Sequence, residues 1–174
     1  MTDTNRSDGI PDIRLFGGIP EASQRLILEV YFTKRAYAAG ATIVQRHDDG
    51  TEIFIVLKGK AYAKISNDIR VTFEPGEAFG EVCLVDEGYR SATVFADEAV
   101  EAAVMSRTAY EAFKAERAQE ALVFLSNIAS ALAARLRRTN NLARAAERKA
   151  HELETHREPS LWDRIKEALT RNES

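Results

Sequence analysis

"FGEVCLVDEGYRSATV", residues 79–94, is the stretch on which the reading of this chain turns. An aromatic, Phe79, leads into a Gly80–Glu81 step, and a short apolar run covers 82–85. Asp86-Glu87-Gly88-Tyr89 follows, and then one arginine, Arg90, ahead of the small residues Ser91-Ala92-Thr93. Glu81 and Arg90 stand nine positions apart, each beside residues with little or no side chain. Small residues let backbone approach another group closely. An arginine beside such backbone presents a planar fork of N–H donors that suits two oxygens of one anion, a geometry lysine lacks. If Gly80 starts a short helical turn, the amides near Glu81 to Cys83 point at the same anion. Taken alone, Glu81 and Arg90 also fit a structural ion pair at a strand end.

The rest of the chain limits what this stretch belongs to. With 174 residues, 45% of them hydrophobic and 29% charged, it has the size and composition of one domain with a proper core plus an appendage. A net charge of −3 creates no field that would recruit nucleic acid or acidic membrane. No apolar run approaches the roughly 20 residues of a membrane span. The polar start "MTDTNRSDG" is unlike a secretory signal. The single cysteine, Cys83, excludes an intramolecular disulfide and a multi-cysteine metal cluster. These features point to a cytoplasmic protein.

Four segments emerge along the chain. Residues 1–12 read as a flexible lead-in. Residues 13–116 hold a helix and then a β-rich body. "PEASQRLILEVYF" places Leu26, Ile27, Val30 and Tyr31 at helical spacing. "ATIVQ", "EIFIVLKG", "KAYAKIS", "IRVTFEPG", "SATVFAD" and "VEAAVMS" are short β-type runs, broken by Gly40, Asp49-Gly50, Gly59, Asn67-Asp68 and Pro75-Gly76. Their even spacing suggests a closed roll or sandwich. A Thr108…Glu111 pair resembles a capping box. Nothing from there to Glu158 contains Gly or Pro, which predicts a long helix over 117–157. Residues 158–174 restart as a short amphipathic helix carrying Leu161, Trp162, Ile165 and Leu169; Trp162 either packs back on the chain or docks another protein.

The long helix carries a seam. Leu122, Leu125, Ala129, Leu132, Leu136, Thr139, Ala143, Ala146, Ala150 and Leu153 alternate spacings of three and four, a coiled-coil repeat that points to a parallel homodimer. Its first part, Leu122 to Leu132, also suits packing onto the chain's own domain. Thr139 is a polar break that costs stability unless its hydroxyl is used.

Together these pieces resemble the cyclic nucleotide-binding domain family of kinase regulatory subunits, the bacterial catabolite activator and cyclic-nucleotide-gated channels. Its phosphate-binding cassette, F-G-E-x-x-L followed by R-[small]-A-[T/S], is matched by Phe79, Gly80, Glu81, Leu84, Arg90, Ser91, Ala92 and Thr93. The family's structural glycines are matched by Gly40, Gly50, Gly59, Gly76 and Gly80. The resemblance covers about 13–145. It implies an α+β fold, an eight-stranded antiparallel β-roll (jelly roll) with an N-terminal helix and a long C-terminal helix.

The resemblance also implies roles. Arg90 would hold the cyclic phosphate, helped by Ser91 and by the backbone at Gly80 and Cys83. Glu81 would accept from the ribose 2′-hydroxyl and hold Arg90 in place. Ala63, Val71 and Phe73 fall on the wall that lines the base, though ordinary core would look the same. Over the base the helix would place either Arg135, as in channel-like members, or Thr139 and Asn140, as in the catabolite activator; a solvated basic face is the third reading. Ser91 does not separate cyclic AMP from cyclic GMP, and Thr139-Asn140 favours cyclic AMP.

The output is not written in the sequence. Only 20 residues follow Glu154, fewer than a helix-turn-helix subdomain needs, so no DNA-binding domain and no DNA partner are expected. Six basic residues against Glu147 over 134–150 read as a soluble face. Expected partners are a cyclic nucleotide, a second copy and an unidentified effector protein. An enzyme is not expected: His47, His151 and His156 form no zinc pattern, and no catalytic residue, metal or cofactor is assigned. The alternative is a structural dimerisation module with a vestigial pocket.

Overall fold

A computed structural model describes residues 10–64, 70–84 and 88–155, with side chains through residue 149. The expectations for residues 1–9, the Asn67-Asp68 turn, the Ala150 and Leu153 side chains of the seam, residues 156–157 and the 158–174 tail with Trp162 lie outside the described residues. The chain divides into two compact units, Met1–Ser130 and Ala131–Ser174.

In the first unit a 3-10 turn (Arg14–Phe16) and α1 (Glu21–Tyr31) precede eight strands: β1 (Thr33–Tyr37), β2 (Thr42–Val44), β3 (Glu52–Lys58), β4 (Ala61–Lys64), β5 (Arg70–Phe73), β6 (Ala78–Phe79), β7 (Val94–Ala96) and β8 (Val100–Ser106). A second 3-10 turn, Glu81–Leu84, follows β6. Then come α2 (Arg107–Glu116) and α3 (Ala118–Thr155), the latter running on into the second unit. Two four-stranded sheets form, ordered β1-β8-β3-β6 and β2-β7-β4-β5, and the described strand pairs are antiparallel. This is the expected mixed fold. Two strands carry no β-type signal in the sequence. β1, "TKRAY", is an edge strand with exposed charged residues, and β6 has only two residues.

The roll is held by residues that alternate along the strands. Phe54 and Val56, Ala61 and Ala63, Val94 and Ala96, and Val100, Ala102 and Val104 point between the sheets, joined by Val44, Phe73 and Phe79. On the opposite face of β3 and β8, Ile53, Ile55, Ala103 and Met105 are buried too, and α2 packs on β8. Burial on both faces explains why "IFIV" is an unbroken apolar run where a one-faced strand would alternate. A second, aromatic cluster forms among the helices. Phe124 lies 5.7 Å from Phe16, 5.8 Å from Phe113 and 6.4 Å from Tyr110 between ring centres.

Three details refine the sequence reading. The N-cap of α2 is Ser106, whose Oγ accepts from Ala109 N at 3.1 Å, and not Thr108, which sits inside the first turn. The break between α2 and α3 falls at Arg117 (φ −138°, ψ 55°), at the start of the 117–157 helix the sequence predicts, and is made without Gly or Pro. There the Arg117 side chain bonds Glu120 and Ser23, tying the bend to α1. Finally, the face of α3 that packs on the first unit is not the seam. It is Ala121, Phe124 and Ile128, with the Asn127 amide donating to Leu15 O and Gly17 O at 2.9 and 2.8 Å. Seam residues Leu122 and Leu136 are 69% and 62% exposed. Larger apolar side chains sit one position away and win the core.

Phe124→Ala should lower stability by about 3–5 kcal/mol, whereas the exposed Val30→Ala should change it by no more than about 0.5 kcal/mol. Urea unfolding of the two variants checks this.

Candidate functional site

Gly80 closes β6 with φ +77°, in the left-handed region that a side chain disfavours. The 3-10 turn Glu81–Leu84 starts there, as the sequence suggests. The turn buries Glu81, Cys83 and Leu84 and leaves Val82 exposed. Glu81 is 2% exposed, the one charged residue buried among those described.

Arg90 reaches this turn from the segment that returns after it. Its backbone is laid along the β2–β3 connection: Arg90 N donates to Asp48 O at 2.9 Å, and His47 N donates to Arg90 O at 3.0 Å. Asp49 and Tyr89 form an antiparallel bridge, and Arg46 N donates to Thr93 Oγ1 at 3.1 Å. The guanidinium then folds inward. Nη2 donates to Glu52 O at 2.8 Å and Nη1 to Gly80 O at 3.2 Å, with Cζ 5.7 Å from the centre of the Phe54 ring. Hydrogen bonds to a charged group contribute about 1.5–3 kcal/mol each. These two bonds fix the plane and direction of the fork. The resemblance implies Glu81 as the holder of Arg90; the holders seen here are two carbonyls that no side-chain identity reveals.

The surroundings are shaped to that side chain. A Cβ on Gly80 would lie 2.6 Å from Arg90 Nη1, and a Cβ on Gly50 would lie 2.7 Å from Arg90 Nε. Glu52, whose carbonyl takes Nη2, has its carboxylate paired with Arg35 of β1 at 2.6 Å. Burial pushes the Cys83 thiol up, and the nearby Arg90 and Arg107 charges only partly oppose this. A raised thiol is a poor nucleophile at neutral pH, in keeping with a packing role.

Among the residues expected on the base side, Ala63 and Val71 are cross-strand partners, and Phe73 opposes Ala61. All three face the space between the sheets: Ala63 and Phe73 are buried in the core, and Val71 is half-buried against it. Phe73 lies 5.0 Å from Phe79, which stacks on Phe54 at 5.0 Å. A line of rings thus joins the hairpin β4–β5 to the floor beneath Arg90. Ser91 is exposed beside Arg90. Arg135, Thr139 and Asn140 lie on α3 in the second unit, Arg135 half-buried and the other two exposed. Sequence reasoning missed Glu52 and Phe54, which act through a carbonyl and a ring of an ordinary-looking strand. It counted Gly50 among the structural glycines without seeing what the missing side chain admits.

Among the described residues no group of His, Cys, Asp and Glu could hold a metal ion, and no helix is long and apolar enough to cross a membrane.

Residues 34–117, which hold all eight strands save the first residue of β1, match the family model described as cyclic nucleotide-binding domain. Residues 34–117 form a domain of the cyclic nucleotide-binding family. A cyclic AMP receptor protein of Thermus thermophilus is 34% identical over 128 residues, which cover 71% of this chain and 57% of that protein. The structure of the Thermus thermophilus catabolite activator protein aligns with a TM-score of 0.65 at 30% identity, covering 77% of this chain and 63% of that one. A cyclic nucleotide-binding domain from Methylobacillus flagellatus aligns with a TM-score of 0.65 at 25% identity, covering 74% and 75%. The chain therefore spans little more than half the length of its curated Thermus relative.

Within this cyclic nucleotide-binding domain, Gly80→Ala forces a side chain into the left-handed region and against both Arg90 and Glu52 O at 2.9 Å. It should cost at least about 1–2 kcal/mol, read as a lower urea midpoint.

Proposed function

We propose that this domain is a regulatory module that binds a cyclic nucleotide and passes the event on through its C-terminal helix. The observation that carries the reading is the Arg90 clamp: a guanidinium held by two carbonyls beside a glycine-led turn, at one end of a line of aromatic rings. A cyclic phosphodiester offers one negative charge on two free oxygens, which a fixed guanidinium meets with parallel donors. Ser91 and the backbone at Gly80 and Cys83 complete the phosphate side. Glu81 accepts from the ribose 2′-hydroxyl, which would disfavour a deoxyribose. Val71 stands nearest to solvent of the three base-side candidates, with Ala63 and Phe73 behind it. Cyclic AMP is the favoured ligand, with Thr139-Asn140 or Arg135 closing over the base.

The C-terminal helix gives the output. Its seam, exposed at Leu122 and Leu136, is free of the face that packs on the first unit, which suits a parallel pairing with a second copy. A ligand shifts such an assembly only by its differential affinity for two states, about 1.4 kcal/mol per tenfold preference. No catalytic step is assigned to the chain.

Calorimetric titration with cyclic AMP and cyclic GMP tests the reading. The parent should bind, and Arg90→Ala should weaken binding by about 1.5–3 kcal/mol, roughly tenfold to a hundredfold. Heat-silent titrations at two temperatures, after stripping any carried-over ligand, would leave a dimerisation module with a vestigial pocket. Sedimentation velocity should show a dimer that Leu136→Glu dissociates; a monomeric parent would refute the pairing.

A further inference from the structure

Gly50 is the one residue of the β2–β3 connection whose missing side chain has a visible use. A Cβ built there would lie 2.7 Å from Arg90 Nε, 2.8 Å from Cδ and 3.0 Å from Cζ, so all three nearest atoms belong to Arg90. These are not the free end of a flexible chain. They are the root of a guanidinium whose two outer nitrogens are bonded to Glu52 O and Gly80 O. The Cβ and the clamped arginine cannot both keep their places.

We propose that Gly50 is a positioning residue for ligand binding: it sets the path by which Arg90 reaches the phosphate. The inference rests on reading Arg90 as the phosphate-binding group. Gly50 is suited to an isolating test because its φ lies outside the left-handed region, unlike that of Gly80. An alanine at 50 therefore needs no left-handed φ, and the three atoms nearest its Cβ all belong to the arginine. Displaced outward, Arg90 loses the alignment of its fork, and the phosphate meets a mobile charge where it had met two directed donors. The size of the charge is unchanged, so the loss is one of geometry.

The experiment combines two readouts on the parent and on Gly50→Ala, each made also in an Arg90→Lys background. The first, without ligand, is the Nε–Hε proton-nitrogen resonance of Arg90, assigned by its disappearance in Arg90→Lys. It should move in Gly50→Ala; an unmoved resonance overturns the proposal. The second is cyclic AMP affinity. Gly50→Ala should weaken it about tenfold in the parent and less than twofold in the Arg90→Lys background, because a lysine, lacking the fork that Glu52 O and Gly80 O hold, is free to move aside. Equal losses in both backgrounds would mean that Gly50 acts independently of the arginine and would overturn the proposal, as would an unchanged affinity in the parent. If Gly50→Ala fails to fold, folding of the double variant with Arg90→Lys supports the steric coupling and failure of both refutes it. A parent that binds no cyclic nucleotide refutes the phosphate reading, while the resonance still decides whether Gly50 positions Arg90.

Discussion

A guanidinium held by main-chain carbonyls is tied to the backbone itself, and here one carbonyl comes from the first residue of β3 and the other from the glycine that follows β6. Glu52 opens β3, Gly80 directly follows β6, and the strands pair at Phe54 and Phe79. Arg90 therefore bridges one edge of a sheet from a segment that is itself laid along the β2–β3 connection. The glycine turn, the register of β6 and the stacking of Phe54 on Phe79 all have to be in place for the two acceptors to be found together. Backbone acceptors do not titrate, and they do not change rotamer. A cation fixed in this manner is oriented before any anion arrives, so less ordering remains to be done on binding.

Glu52 has two attachments. Its carbonyl accepts from Arg90 on one side, and its carboxylate pairs with Arg35 of β1 on the other. The exposed Arg35–Glu52 pair adds little stability by itself, as surface pairs do. It does connect β1, an edge strand, to the residue that carries one of the two acceptors.

Much of this was legible in the sequence because it resides in side-chain chemistry and spacing. The cassette from Phe79 to Thr93 announced a glycine-led turn with an arginine returning beside it, and the β-type runs announced the roll. Elements set by backbone geometry were not legible. β6 is two residues long, and β1 reads as an exposed polar stretch. The break at Arg117 lacks the glycine or proline that marks most helix ends. The α3 seam shows the limit from the other direction. The leucines recur at a regular spacing, but Phe124 and Ile128, on the neighbouring stripe, are the residues that take the core.

The double burial of β3 carries a consequence for how this domain can change over generations. Phe54 and Val56 look into the roll, and Ile53 and Ile55 look out to the opposite buried face. A strand without a solvent face has no position where a change in volume is absorbed by water, so a larger residue on one side pushes the wall of the other. Substitutions in the ring stack beneath Arg90 and substitutions across the strand should therefore become fixed in compensating pairs. Change in the ring stack beneath Arg90 is then constrained by residues on the other face of the strand.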